Sequence, residues 1–210
     1  MRSPHLRLLA GAATLGLALA ACGGGGDGES GESVPTTAVR ADTRLAPGEV
    51  AVHGAGADPR LDDATVAAAV DVAQRYVDTA VLGPVVEGEL GEGFAALFED
   101  ALRERATTAD AAALTDAGVP RATERPEVEA TPVRIDALAD PAGSVVLLGT
   151  TFEVDVRVPA ASGTYALHRS GELTLAPGPG GDWLVTGYRV VVTRDLPEGP
   201  PATTAAEAGA

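Results

Sequence analysis

Few side chains in this 210-residue chain could do chemistry. There is one cysteine, Cys22, so no intrachain disulfide can form, and the fold must be stable from its core alone. The histidines are His5, His53 and His168. His5 falls in the expected export segment and His53 in the expected tether, so no histidine cluster of the kind a metal site needs is left. Asp27, Glu29 and Glu32 fall in a glycine-rich stretch without the spacing of a Ca²⁺ loop. Nucleophilic attack would need a serine near a base. Ser170 stands two residues from His168, and Glu172 continues the row, so the three share one face of a strand. Side chains spaced this way stand about 7 Å apart, beyond hydrogen-bond reach unless Gly171 bends the strand. A half-solvated strand face would have the same composition.

The N-terminus carries an export pattern. Arg2 and Arg7 precede the uncharged apolar run Leu8–Ala21. That run is shorter than the roughly 20 apolar residues a bilayer span requires, and it ends in small residues. No twin-arginine pair is present, which points to the general secretory route. Leu19-Ala20-Ala21-Cys22 resembles the bacterial lipobox. That resemblance implies a diacylglyceryl thioether on Cys22, cleavage before it and acylation of the new amino terminus. The product would be anchored at the extracytoplasmic face of the cell membrane, since two or more acyl chains hold stably where one does not. Cleavage after Ala20, giving an ordinary secreted protein, is the alternative. It would leave an unexplained free thiol.

Composition excludes some partners. The chain has 15 Lys+Arg against 30 Asp+Glu, and loss of Arg2 and Arg7 would take its net charge from −15 to −17. This argues against nucleic acid and anionic lipid as direct ligands. Aromatic residues make up 3%, too few for stacking platforms. All basic side chains are arginines, and Ala, Gly, Val and Pro abound, as in proteins from high-GC genomes such as those of high-GC Gram-positive bacteria.

These residues must be positioned by the elements that follow. Residues 22–60, rich in Gly, Ser, Glu, Thr and Pro, form the expected tether, with an rms span of about 35 Å. Val50–His53 could form a short strand within it. Order is expected over residues 61–195. Asp62 is suited to cap a helix whose apolar stripe is Val66, Ala69, Val70, Ala73, Tyr76, Val77, Ala80 and Val81. Gly83-Pro84 is its expected stop. A second helix is expected over Gly93–Ala106, with Glu99 and Arg103 paired, and a third over Thr108–Ala117. The periodicity then changes to two. Strands are expected within Pro126–Ala137 and Val145–Val158, then over Thr164–Leu175 and Trp183–Arg194, joined by short turns and therefore antiparallel. Residues 196–210 form the expected tail. The prediction is an α+β domain of about 135 residues, large enough for a single core. Two to three N-terminal helices would pack on a curved antiparallel sheet of about four strands.

This element order, closed by Gly181-Asp182-Trp183-Leu184-Val185-Thr186-Gly187-Tyr188-Arg189-Val190, resembles the NTF2-like cone fold; a cystatin-like or generic α+β sandwich is the other arrangement open. The NTF2-like fold occurs in small exported proteins, in accessory domains of cell-wall transpeptidases and in cavity enzymes such as ketosteroid isomerase. The resemblance implies a carboxylate or histidine in an apolar pocket. Asp136, Asp155, His168 and Tyr188 are the candidates, with Tyr76, Tyr165 and Trp183 as lining. Alternation places Asp136 and Asp155 toward solvent by default. Two functions from different classes follow. One is a non-enzymatic binding or assembly module of the cell envelope with a protein partner, without cofactor. The other is a cavity protein that binds or isomerises a small apolar ligand.

Overall fold

The computed structural model describes residues 43–54 and 61–196. The proposed signal segment, Cys22 and nearly all of the expected tail lie outside the described residues. The fold is mixed α+β, with helices packed on one face of a sheet.

Helix α1 spans Asp63–Tyr76. Asp62 caps it by accepting from the Thr65 N–H at 2.6 Å, which lowers the pKa of its own carboxyl group. Its buried stripe is Ala69, Val72, Ala73 and Tyr76, continued by Val77, Ala80, Val81 and Leu82. Val66 and Val70 stay half-buried on the flank of that stripe.

Gly83-Pro84 does not stop the helix. A π-helical turn over Val77–Leu82 leads into α2, Gly83–Glu87, which ends at Gly88 with φ 81°. The reason is local accounting of backbone groups. Pro84 has no N–H to give to the Ala80 carbonyl. The Gly83 N–H reaches back to the Asp78 carbonyl, which leaves that of Thr79 free. Both carbonyls find partners elsewhere in the chain, Thr79 from the Gly91 N–H at 2.9 Å and Ala80 from the Asp116 N–H at 2.8 Å. The π turn therefore becomes a docking point for two loops.

The expected Gly93–Ala106 helix is broken. A single 3₁₀ turn, Ala95–Leu97, gives way at Phe98 to extended backbone bridged to Val185, and α3 begins at Asp100 and ends at Thr107. Glu99 is the N-cap residue of α3, and no ion pair joins it to Arg103 among the described residues. Arg103 instead meets Asp100 at 2.7 Å and donates to the Ala95 and Phe98 carbonyls at the break. A short α4, Ala111–Leu114, is all that forms of the third helix.

The sheet has six strands rather than four: β1 Pro47–Gly54, β2 Glu127–Ala130, β3 Val133–Ala139, β4 Val145–Ala160, β5 Gly163–Pro177 and β6 Trp183–Asp195. Their order is β1-β3-β4-β5-β6, with β2 beside β4. Two of the six come from dividing the expected Pro126–Ala137 strand. Pro132 cannot donate to a ladder, so β3 lies along Val145–Thr151 and β2 along Val154–Arg157, the two running end to end on β4. Thr131 bridges the gap. Its N–H donates to the Glu153 carbonyl and its hydroxyl accepts from the Glu153 N–H, both at 3.0 Å.

The other addition is β1, which pairs in parallel with β3, so the sheet is not wholly antiparallel. Ordered structure thus reaches back to Thr43, into the stretch expected to be tether. Gln74 of α1 fixes this segment. Its side-chain oxygen accepts from the Leu45 N–H and its amide donates to the Thr43 carbonyl, each at 2.7 Å.

The core lies between the helices and the inner sheet face, where Ile135, Leu148, Phe152, Val154, Leu167, Leu173 and Leu175 are buried. Gly171 is needed there because a Cβ at that position would stand 2.3 Å from the Phe152 ring.

Candidate functional site

The most concentrated chemistry lies inside the domain. On β5, Tyr165, Leu167, Arg169, Gly171, Leu173 and Leu175 alternate inward, so Arg169 occupies an apolar position with 1% exposure. Its Nη2 donates to Asp116 Oδ2 at 2.7 Å, and Nη1 donates to the Tyr76 hydroxyl and the Leu114 carbonyl at 2.7 and 2.6 Å. Tyr76 Oη also donates to the Leu114 carbonyl at 2.6 Å. Arg194 of β6 closes the other side, giving Nε to Asp116 Oδ1 at 2.9 Å and Nη2 to the Thr115 carbonyl at 2.7 Å. Asp116 therefore sits between two guanidinium groups, with its backbone held at the π turn. Burial raises the pKa of the Tyr76 phenol. Among the described residues, the Arg169 Nε has no hydrogen-bond partner.

This node ties α4, the loop after it and the π turn to β5 and β6. Its members face one another rather than a cleft, and Asp116 is fully buried. The arrangement suits bracing rather than turnover. Sequence reasoning missed Asp116, Arg169 and Arg194. The available signal was Arg169, a charge on the apolar parity of a strand that also carries Tyr165, Leu167 and Leu173.

The seven residues considered for a pocket divide between the two sheet faces. Tyr76, Tyr165, Trp183 and Tyr188 lie on the inner side. The Tyr165 hydroxyl donates to the Pro120 carbonyl, and burial pushes its pKa up to about 12. Tyr188 donates to Asp110 at 2.7 Å and meets Phe98 edge-on, with ring centroids 5.8 Å apart. Burial and the nearby carboxylate push its phenol up to about 12, while the phenol's hydrogen bond lowers the pKa of Asp110. Trp183 is half-buried against the core.

Asp136, Asp155 and His168 lie on the outer face. His168 Nδ1 stands 2.8 Å from Asp155, its direct cross-strand neighbour. His53 Nε2 stands 3.1 Å from Asp136, which Arg134 also approaches at 3.1 Å. His53, ahead of Arg134, lowers the Asp136 pKa. Each histidine is thus held by a carboxylate, one half of a base–orienter pair. Ser170 faces Glu153 and Val191, Thr193 stands across from His168, and no hydrogen bond joins either hydroxyl to His168 among the described residues. Nor do the described residues place three or more His, Cys, Asp or Glu side chains where they could hold a metal ion.

The space between α1 and the sheet is filled by Tyr76, Phe94, Phe98, Phe152 and Arg169, each at most 1% exposed. Tyr76 and Phe152 have ring centroids 5.9 Å apart. A large concavity lies on the outside instead. It is an open groove of about 1310 Å³ between the Thr43–Pro47 segment, the outer flank of α1 and the Gly83–Glu92 turn. A smaller concavity of about 460 Å³ lies where β2, β4 and β5 end, among Glu127, Glu129, Asp155 and Arg157.

No family model matches the chain, and neither a curated protein nor a solved structure matches it.

Proposed function

We propose that this chain is an exported lipoprotein, held at the extracytoplasmic face of the cell membrane by lipid on Cys22, whose α+β domain is a non-enzymatic binding or assembly module of the cell envelope. The Leu19–Cys22 motif after an apolar run carries the anchor. In this reading the domain is a cone of the NTF2-like kind, an assignment supported by helices that precede a set of long strands.

The filled interior is the observation that favours binding over catalysis. A small apolar ligand inside the cone, the alternative, would need the space that Phe152 and Arg169 occupy. The two His–Asp pairs stand on an open face, and no hydroxyl is hydrogen-bonded to either histidine among the described residues.

Cell fractionation tests the anchor. The wild-type chain is expected with the membrane, and Cys22→Ser as soluble protein or uncleaved precursor. Membrane retention of a correctly processed Cys22→Ser chain would refute lipidation. Turnover of envelope substrates or model esters by the purified protein would refute the non-enzymatic reading.

A further inference from the structure

We propose that the groove between Thr43–Pro47 and the outer flank of α1 is a docking site for a basic amphipathic segment of a partner protein. The inference rests on the binding-module reading and deepens it.

The floor comes from the part of the α1 stripe that the core does not cover. Val66 and Val70 point to the flank and are joined by Val86 from α2, all half-buried and all in the groove. One wall is the Thr43–Leu45 segment, held by both ends of the Gln74 amide, so the cleft is pre-formed. At about 1310 Å³ it exceeds the roughly 300–1,000 Å³ of small-molecule sites, and it is open along its length. That shape suits a peptide segment laid into a groove with apolar anchors at helical spacing.

Charge selects the occupant. Asp63, Asp78, Glu87 and Glu92 rim the groove, against one lining cation, Arg44, and none of the four forms an ion pair with an arginine among the described residues. Asp71 is the exception, satisfied by Arg75 at 2.9 Å. On the outer sheet face, by contrast, Asp136 meets Arg134 at 3.1 Å. Asp78 receives only the Gln74 amide, at 2.9 Å, and has the Asp71 carboxylate nearby. Burial raises its pKa, so an incoming arginine or lysine would find an acid whose charge nothing yet balances. A partner that fits presents apolar residues to Val66, Val70 and Val86, with Arg or Lys flanking them.

The test titrates the full chain, in neutral detergent micelles, into a fluorescent peptide of leucines and lysines at amphipathic-helix spacing. Anisotropy is read against empty micelles. Saturable binding is expected, weakening with salt. Asp78→Asn with Glu87→Gln should weaken it by about tenfold, and Val70→Ser should weaken it without changing the salt slope. Glu153→Gln with Glu172→Gln, on the outer sheet face, should leave it unchanged. An analogue with glutamate for lysine should not bind. The proposal is overturned if the basic peptide fails to bind, or binds the groove variant as it binds wild type. If the groove variant still captures an envelope partner that wild type captures, the groove assignment falls and the binding-module reading stands.

Discussion

Arg169 and Asp116 meet 2.7 Å apart with side-chain exposures of 1% and 0%, the most buried ion pair among the described residues. Removing Asp116 strands the Arg169 charge in the core, and removing Arg169 leaves Asp116 with Arg194 alone, at 2.9 Å. Arg169→Met or Asp116→Leu alone should cost about 3–5 kcal/mol. The double variant should be less destabilised than the sum of the two, because the only charge it leaves without its partner is Arg194, which is 30% exposed. Urea unfolding of the four proteins measures the coupling.

Gly171 and Phe152 form a second coupled pair. The Cβ of Gly171→Ala would stand 2.3 Å from the Phe152 ring, so the change should destabilise by about 1–3 kcal/mol through overpacking. Phe152→Leu removes the obstructing ring and should restore part of that loss, again read from urea midpoints.

All three tyrosines of the chain have raised phenol pKa values, Tyr165 and Tyr188 to about 12. The folded protein should therefore show little phenolate absorbance at pH 10 to 11, whereas the urea-unfolded chain titrates near the ordinary value of 10.0. The sign follows from which state loses protons first. The unfolded chain does, so stability is full below pH 10 and declines as pH rises above it. A spectroscopic alkaline titration with a parallel unfolding series checks both statements.

The carboxylates divide in sign. Asp110 and Asp136 have lowered pKa values, so the stability they add is present above the ordinary 3.8 and is lost as pH falls through their folded values. Asp78 is raised, so its charge opposes folding at neutral pH and protonation relieves it in acid. Asp78→Asn keeps an oxygen acceptor for Gln74. It should raise the unfolding midpoint at pH 7 and lose that advantage below pH 3.8.

Much of this architecture is visible in the residue order. The Asp62 cap, the helix after it and the strict alternation of β4 and β5 follow from local periodicity, and α+β follows from them. What escaped detection depends on partners distant in sequence. Val50–His53 marks the middle of β1, but not its full length or its parallel pairing, since β3 begins beyond the whole helical region. Gly83-Pro84 is a sound stop signal, overridden because Gly91 and Asp116 supply the missing donors. Among the residues considered for a pocket, Tyr76 and Tyr165 stand at apolar positions of a helix stripe and a strand face, and both are buried. Asp116 gave no signal, since its burial depends on two arginines far along the chain.

The Gln74 amide grips Thr43 and Leu45 immediately before β1 begins. Any pull arriving from the amino-terminal side is therefore delivered first to two hydrogen bonds on a helix and only afterwards to the β1–β3 ladder. The edge strand is strain-relieved, as a cable is clamped ahead of its connector, and the sheet keeps its register while the chain upstream is under load.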